Sequence, residues 1–526
     1  MSATEFNILT ITEPTIELEP FEIADSESDP EATDKNLDKS SKIMGDSYPA
    51  IRVNGYDFNK GDISNFTLEL NSFLPRLTVT VEDNNGLFTV NSYPKDGDFL
   101  MLIIKSKDED LYKPIRMDFD ILSVDAPPVS RAEESGMDVG GGTVDEDGDE
   151  SEPMTPEPPT FTFTCRAKIP KILAEACQSL GDDTSFNHLN TIADELQLGF
   201  ASNETSTDDS MIRLQAFDTY EKFIKDTAET CYMDENSFFE CYIDPYYYLN
   251  FVNVNKQFTS AEDLEDTLTS MEQDLAASRQ LGDGNVDGAN KQEARLMLTN
   301  LQKGSAGTSR YVERYSMINN AGAVFLLNGY KRTAQYYSED DEAFLSFDVD
   351  PFTTEDVADD DHPLKGNPNE TRFEDEVKFK YLGKHTDKEN EGNAHLNYHY
   401  AMIQNLQNNE ELDKLKVVVE LPTANMALYR FQRVPFMCYE EVPKRIEKQK
   451  KLEEKAEENG ASRSNKRGDK GDANPERPGP KQGQPKLNEF MTGMYVIGEI
   501  VYMYSNDMQT MRQRLTLLRR DWPHPV

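Results

Sequence analysis

The stretch FTLELNSFLPRLTVTVED, residues 66–83, decides the class of fold. Apolar and polar residues alternate along both halves of it, beginning with Phe66 and Leu68 against Thr67 and Glu69. A period of two is typical of a strand that buries one face and exposes the other. The run DNNG at 83–86 then supplies a turn. The stretch therefore predicts half-buried antiparallel strands.

The same pattern extends outward and defines a first strand-rich block over residues 48–168. It continues through FLMLIIKS (99–106) and MDFDILSV (117–124), and it returns in FTFTCRA (161–167). Between them, residues 127–159 are acidic and rich in Gly and Pro, a composition that cannot bury a core, so a disordered loop is predicted there. Residues 1–47 are polar and acidic, and they predict a flexible arm.

A helical section follows over residues 169–236. Pro170 is well placed to open a helix, and a second helical face is closed by Gly199. The clearest helix begins at Asp218, a good N-cap residue with Glu221 three positions on. The apolar spacing of these two helices is that of amphipathic helices, and the residues are Phe186, Leu189, Ile192, Ala193 and Leu196, then Tyr220, Phe223, Ile224, Thr227, Ala228 and Cys231.

Residues 237–375 are predicted to link the two β blocks through strands and a polar insertion. The strands are FFECYID, YYYLNFVNVN, AVFLLNGY and AFLSFDV. A second strand-rich block occupies residues 376–523, starting near Val377 and containing LKVVVEL, LYRFQRVPF, GMYVIGEIVYMYS and QTMRQRLTLLRR. A low-complexity loop, predicted to be disordered, interrupts it at 441–487. Each β block is thus broken by such a loop before its closing strands.

The composition narrows the classes of function. The chain has 526 residues and a formal net charge of −43, so phosphate-bearing nucleic acid and anionic membranes are poor partners for the chain as a whole. Its 5 Cys form no C-x-x-C pair, which indicates free thiols made in a reducing cytoplasm. The N-terminus does not resemble a signal peptide, and no apolar run is long enough for a membrane span.

No sequence pattern predicts a catalytic, cofactor or metal site. His395 and His399 are four apart, but Leu396 stands where a metalloprotease helix needs its Glu. The acidic run at 145–150 lacks the Gly and the Glu that a calcium loop requires. The glycines at 282–288 are followed by no Lys-Ser/Thr, so they do not form a phosphate loop. The chain is therefore predicted not to be an enzyme.

Four arginines near the C-terminus are the predicted contact site. Arg512, Arg514, Arg519 and Arg520 are expected to pair with carboxylates of a neighbouring subunit, because guanidinium suits bidentate carboxylate contacts. The alternative is a solvated surface.

Several stretches resemble the central baseplate hub protein of T-even-like contractile phages. In the helical section and beyond they are TSFNHLNTIADELQLGFASNETSTDDSM (184–211), DTYEKFI (218–224) and YYYLNFVNVN (246–255). The first block carries IRVNGYDFNKGDISNFTLELN and YPKDGD, and the second ends in TGMYVIGEIVYMYSNDMQTMRQRLTLLRRDWP. The resemblance covers most of residues 48–255 and 376–523, and the long insertions depart from it.

The resemblance implies a mainly β α+β fold, with two antiparallel β-barrel domains similar to a tail-tube subunit and a helical insertion. It implies a homotrimer whose barrels form a ring of six. Such a ring adapts the sixfold tail tube to the threefold central spike and forms part of the DNA channel. The implied partners are the spike, the tube or tube-initiator protein, wedge proteins and the tape measure protein. The location is the virion baseplate, after synthesis in the host cytoplasm. DNA is only a transient passenger, and an acidic lumen is expected to prevent it from sticking.

Three alternatives stay open at this point. A tail-associated peptidoglycan hydrolase would need clustered acid and base residues in a cleft. A type VI-like secretion spike would continue into a repetitive β-helical spike. A peripheral wedge or fibre component would lack the pair of tube-like barrels.

Overall fold

The computed structural model of the chain describes residues 8–21, 47–58, 61–84, 86–106, 113–126, 158–235, 237–258, 298–300, 311–320, 322–323, 331–338, 342–349, 377–385, 394–440, 486–488, 490–506 and 511–519. Most of the predicted loops at 127–159 and 441–487, most of the arm at 1–47 and all of the predicted strand AVFLLNGY except Ala323 lie outside these residues. No helix within the described ranges is long and apolar enough to cross a membrane.

The fold is α+β and mainly β, which confirms the predicted class. The strands before the helical section are β1 (Leu9–Thr12), β2 (Ser47–Val53), β3 (Tyr56–Phe58), β4 (Ile63–Leu70), β5 (Arg76–Glu82), β6 (Phe99–Ser106), β7 (Ile115–Asp125) and β8 (Thr160–Ala167). Those of the next section are β9 (Glu175–Asp183), β10 (Gly199–Ser202), β11 (Met211–Thr219), β12 (Phe239–Ile243) and β13 (Tyr248–Asn253), with helices α1 (Ser185–Glu195) and α2 (Tyr220–Glu229).

The remaining elements build the second block and the region before it. The strands are β14 (Leu298–Thr299), β15 (Arg314–Asn319), β16 (Lys331–Ser338), β17 (Ala343–Val349), β18 (Val377–His385), β19 (Leu415–Leu421), β20 (Arg433–Met437), β21 (Tyr439–Glu440), β22 (Lys486–Leu487), β23 (Gly493–Ser505) and β24 (Met511–Leu518). Helix α3 (Tyr398–Leu412) lies between β18 and β19. The second block is predicted to start near Val377, but the strand there, β18, pairs with β16 in a separate three-stranded sheet and is not part of the large sheet that contains β19, β23 and β24.

One large sheet joins the two predicted β blocks. Its order is β15-β19-β24-β23-β4-β5-β8-β7-β6-β2-β3, with β20 also paired to β23. Strand β23 of the second block pairs antiparallel with β4 of the first, so that Tyr502 lies opposite Leu68. Apolar side chains of both blocks fill one continuous core, in which Leu68, Leu77, Val79 and Ile500 are fully buried.

The helical section contains both predicted amphipathic helices, with corrected ends. Helix α2 starts one residue later than predicted, because the Thr219 hydroxyl accepts the Lys222 amide N–H at 3.3 Å and is the N-cap. Asp218 instead pairs with the Lys222 ammonium at 2.6 Å. The predicted helix opened by Pro170 is wrong. A turn follows Pro170, and the chain then forms β9, whose backbone groups pair with β11.

Strands β12 and β13 belong with the helical section. They form a four-stranded sheet of order β1-β10-β13-β12, and α1 and α2 pack against that sheet. Residues 239–253 therefore pack with the helices, although the sequence places them in the linker between the blocks.

Residues 8–21, within the segment predicted to be a flexible arm, pack on the protein. Strand β1 pairs antiparallel with β10, and Leu9 lies opposite Ser202. Further on, Phe21 is buried under the guanidinium groups of Arg52 and Arg116, whose carbons lie 4.5 and 5.8 Å from the ring centroid. This stretch therefore connects the helical section to the first block.

Candidate functional site

The central sheet has one polar face, formed by the outward side chains of β15, β19, β24, β23, β4, β5 and β8. We call this surface the polar face. Threonines line its middle, and cross-strand pairing places Thr67, Thr78 and Thr164 side by side on β4, β5 and β8. The hydroxyls of Thr80 and Thr162 lie 3.0 Å apart and hydrogen-bond to each other. Small hydroxyl side chains make this surface smooth and uncharged at its centre.

Several charged side chains of the polar face form one row across the sheet, and others, Lys416, Glu499 and Arg512 among them, lie outside that row. Arg314, Glu420 and Arg514 lie opposite one another on β15, β19 and β24. On β4 and β5, Glu69 lies opposite Arg76, which in turn lies opposite Arg166 of β8. Opposite charges directly across a pair of strands attract and stabilise the sheet, typically by less than about 1 kcal/mol. The row is of mixed sign, although the chain as a whole is strongly acidic.

The structure places the four predicted interface arginines differently from one another. Arg512 donates to the Glu313 carboxylate of the same chain at 3.2 Å. Arg519 lies over the Tyr495 ring, 5.4 Å from its centroid. Arg514 is part of the row on the polar face, and Arg520 lies outside the described residues. Their contact with a neighbouring subunit stays a prediction.

Open strand edges of this sheet in the described ranges include those of β15 and β7, besides β3, which pairs only with β2. Strand β15 pairs only with β19, and all its residues are exposed, Tyr315 and Met317 among them. Strand β7 pairs with β6 only as far as Asp120. Residues 121–125 of β7 therefore pair with β8 on one side and have an open edge on the other. A bulge there leaves Leu122 60% exposed. Sequence periodicity finds strands but not their neighbours, so it could not identify these edges.

A half-buried arginine, Arg430, contacts the two blocks and the helical section. The Arg430 guanidinium donates to the carbonyl oxygens of Ser72 in the first block and Gly498 in the second, each at 2.9 Å. It also lies over the Tyr242 ring of β12, 4.7 Å from the centroid. Burial lowers the pKa of Arg430 and raises the pKa of the nearby Glu240 carboxyl. A small apolar cavity adjoins this junction. The stretch LYRFQRVPF contains Arg430, but nothing local in that sequence indicates this role.

His395 and Cys165 are held in environments that favour a structural role. His395 is buried, and its Nε2 atom is 2.9 Å from the Thr230 carbonyl oxygen. Burial raises the pKa of the Cys165 thiol to about 12, which suppresses the thiolate needed for reaction. In the described part of the chain, no group of three or more His, Cys, Asp or Glu side chains could hold a metal ion.

The comparisons with known proteins find similarity in solved structures. The tail protein from Neisseria meningitidis MC58 has a TM-score of 0.44 at 8% identity, covering 90% of this chain and 97% of its own. The 43 kDa tail protein of prophage MuSo2 from Shewanella oneidensis has a TM-score of 0.41 at 8% identity, covering 90% and 99%. The E. coli c3393 protein, a type VI secretion component described as similar to the T4 tail proteins gp27 and gp5, has a TM-score of 0.37 at 7% identity, covering 90% and 79%.

These structural neighbours are phage tail and type VI secretion proteins. No family model matches the chain, and no curated protein matches its sequence.

Proposed function

We propose that the chain is a structural hub subunit in the baseplate of a contractile phage tail. Three copies form a ring in which six tube-like blocks meet the sixfold tail tube, while the threefold symmetry of the trimer matches the central spike. The proposal rests on the sequence resemblance, which covers most of residues 48–255 and 376–523, and on the chain's own central sheet. It includes the expectation that the protein is not an enzyme.

The observation that carries the proposal is the antiparallel pairing of β4 in the first block with β23 in the second. In a ring of similar blocks, each block must meet the next through the same kind of contact. Here the contact between the two blocks of one chain is a backbone ladder from Ile500–Leu70 to Ser505–Asn65. A trimer repeats such a ladder between chains, which makes a cyclic, heterologous contact that closes on itself.

The open edges of β15 and β7 are suited to form that ladder. We place β15 of one chain beside residues 121–125 of β7 in the next. Open strand edges readily accept another strand, because their backbone N–H and C=O groups lack partners in the sheet. The pairing would also cover Leu122, Tyr315 and Met317, which are apolar and exposed in the single chain.

The polar face would then line the channel. Glu69 and Glu420 lie beside arginines of this face and compete with DNA phosphates for them, and phosphate contacts by Lys and Arg are what give DNA-binding proteins most of their affinity. The expectation of an acidic lumen does not fit this face, because Arg76, Arg314 and Arg514 lie on it beside Glu69 and Glu420. DNA would then pass because it binds this face only weakly, and electrostatic repulsion between the face and the phosphates would contribute little.

The remaining parts of the proposal follow from the same ring. The partners are the central spike, the tube or tube-initiator protein, wedge proteins and the tape measure protein. The location is the tail baseplate of the virion, after assembly in the host cytoplasm. Arg512, Arg514, Arg519 and Arg520 are proposed to lie near subunit contacts, with Arg512 and Arg519 already engaged within their own chain.

The ring is tested by native mass spectrometry combined with cysteine cross-linking. The exposed Cys177 is first replaced by Ser, because the other cysteines are buried. The pair Leu122→Cys and Met317→Cys is then added, and the expected product under oxidation is a covalent trimer on a non-reducing gel. In native spectra the unmodified chain is expected as a trimer at micromolar concentration.

Two controls separate this contact from random collision. Each single cysteine variant should give at most a dimer, since a ring needs both edges. Moving one cysteine to the exposed Val90, on the turn between β5 and β6, should abolish the covalent trimer. A strict monomer in the native spectra, or equal cross-linking by the Val90 pair, would contradict the proposed ring.

A further inference from the structure

The outer face of the β9–β11 ribbon is apolar and has no partner among the described residues. Ile212, Leu214 and Phe217 of β11 are 46%, 64% and 71% exposed. On the neighbouring strand β9, Ser179 lies opposite Leu214, and Cys177 lies opposite Ala216; all four are exposed. Contiguous exposed apolar side chains of this kind usually mark a contact with another molecule.

Phe217 is held in this position at a cost in backbone energy. Its φ is +61°, in the left-handed region that bulky side chains rarely adopt. The strain occurs at a β-bulge between Ala216 and Asp218, where the ladder with β9 shifts its register. Bulges redirect side chains, and strained residues persist mainly at functional sites. Folding alone does not account for a strained and exposed Phe.

The ribbon beneath this face is firmly supported. Arg213 and Gln215 alternate with the exposed residues and are buried. The Arg213 guanidinium donates to the Thr230 hydroxyl at 2.8 Å, and the Gln178 side-chain amide donates to that of Gln215 at 3.0 Å. The apolar face is therefore preorganised, which lowers the entropy lost when a partner binds.

Both ends of the ribbon carry exposed acidic side chains, which favour a partner with basic residues at the matching positions. Glu175 lies at one end of β9, and Asp182 and Asp183 lie at the other, all three exposed. The outward side chains of β9 and β11 include no basic residue. A matching partner thus has apolar side chains at its centre and Lys or Arg at both ends.

The open backbone edges of the ribbon favour a partner in an extended conformation. The two strands pair only with each other in the described structure, so each keeps one open edge. Two-stranded ribbons are marginal on their own and gain from a third strand. Along β11, an added strand would place its side chains next to Leu214 and Phe217, and cross-strand apolar pairs stabilise a sheet.

We infer that this face is a docking site for an extended protein segment with an apolar centre and basic ends, which adds beside β11 as a third strand. The site is separate from the β15 and β7 edges. It therefore does not depend on the trimer, and a failure of either proposal leaves the other testable.

The test uses the full chain and a fluorescent peptide of sequence KKVTVTVKK, followed by anisotropy. The wild-type chain is expected to bind it saturably, and added salt is expected to weaken the binding. Phe217→Gly should weaken binding by roughly tenfold or more, in the range of a hot-spot residue. The same variant should unfold at an equal or higher urea concentration, because Gly tolerates the positive φ. Loss of binding therefore cannot be ascribed to loss of fold.

Matched controls decide between the outcomes. Val90→Ser removes an equally exposed apolar side chain elsewhere and should leave binding unchanged. The peptide EEVTVTVEE should bind much more weakly than its lysine counterpart. The inference is overturned if neither peptide binds, if both bind equally, or if Phe217→Gly binds like wild type. It is also overturned if Phe217→Gly abolishes self-association of the chain, which would make a second copy the occupant.

Discussion

At the residue scale, Gly199 shows how a sequence prediction can find the right residue for the wrong reason. Glycine near a helix end predicts a C-cap, but α1 ends at Glu195 and Gly199 begins β10. A Cβ at Gly199 would lie 2.5 Å from Cδ1 of Tyr248 and 2.9 Å from Cδ of Pro14. The glycine allows the N-terminal segment and β13 to approach β10 closely.

We expect Gly199→Ala to destabilise the protein by about 1–3 kcal/mol, because overpacking in a tight contact forces its neighbours apart. Urea unfolding measures the difference. Gly181→Ala is the matched control: a Cβ there meets no atom within 4 Å, so its effect should stay within about 0.5 kcal/mol. Equal unfolding midpoints for the two variants would show that the approach at Gly199 is not tight.

At the element scale, helix α3 is one of the elements that periodicity missed. Its buried face includes Gln404, Asn405, Gln407 and Asn408, and amides at core positions weaken the apolar pattern that predicts an amphipathic helix. The strands were easier to predict, because β5 and β8 alternate strictly between apolar and polar residues and β4 does so from Phe66 onward.

The amides of α3 have a definite role in packing. The Asn405 side chain donates to the carbonyl oxygens of Glu229 and Cys231 at 2.9 and 3.0 Å, and it accepts the Phe239 amide N–H at 2.9 Å. The C-terminal carbonyls of α2 lack partners inside their own helix. The Asn405 amide is the hydrogen-bond donor for carbonyls at this end of α2, and it thereby fixes α3 against the helical section.

Asn405→Ala is expected to destabilise the protein by about 2–4 kcal/mol, because several buried polar groups lose their partner at once. Leu406→Ala, on the exposed side of the same helix, should cost well under half as much. Hydrogen exchange gives a second measure, since the Phe239 amide should exchange faster only in the Asn405 variant. An Asn405→Ala protein as stable as the Leu406 variant would contradict this role.

At the scale of the whole molecule, the sequence predicts individual strands and helices, whereas the pairing of distant strands is seen only in the structure. Periodicity predicts two β blocks and two of the helices, because each strand or helix carries its own pattern of burial. It cannot predict that β23 pairs with β4, because that pairing joins residues more than four hundred positions apart. The polar face and its open edges depend on such long-range pairing, so they emerge only from the structure.

The N-terminal segment is a further case of long-range contact. Residues 8–21 have a composition that predicts a flexible arm, yet β1 extends the sheet of the helical section. The Thr15 amide N–H also donates to the Gln197 carbonyl at 3.1 Å. At its other end, Arg116 of the first block donates to the Glu19 carbonyl at 3.1 Å, close to the buried Phe21. The segment is therefore a strap between two parts of the same chain.

Deleting residues 1–21 is expected to lower the free energy of unfolding by at least about 2 kcal/mol, because burial of one Phe side chain alone contributes about 1.5–3 kcal/mol. The amides of β10 should also exchange faster, since β1 no longer covers that edge. Deleting residues 1–7 is the control, because it leaves every contact of the strap in place. If the two truncated proteins unfold at the same urea concentration, and β10 exchanges equally in both, then the strap does not hold the helical section to the first block, and residues 8–21 would be free to engage another chain during assembly.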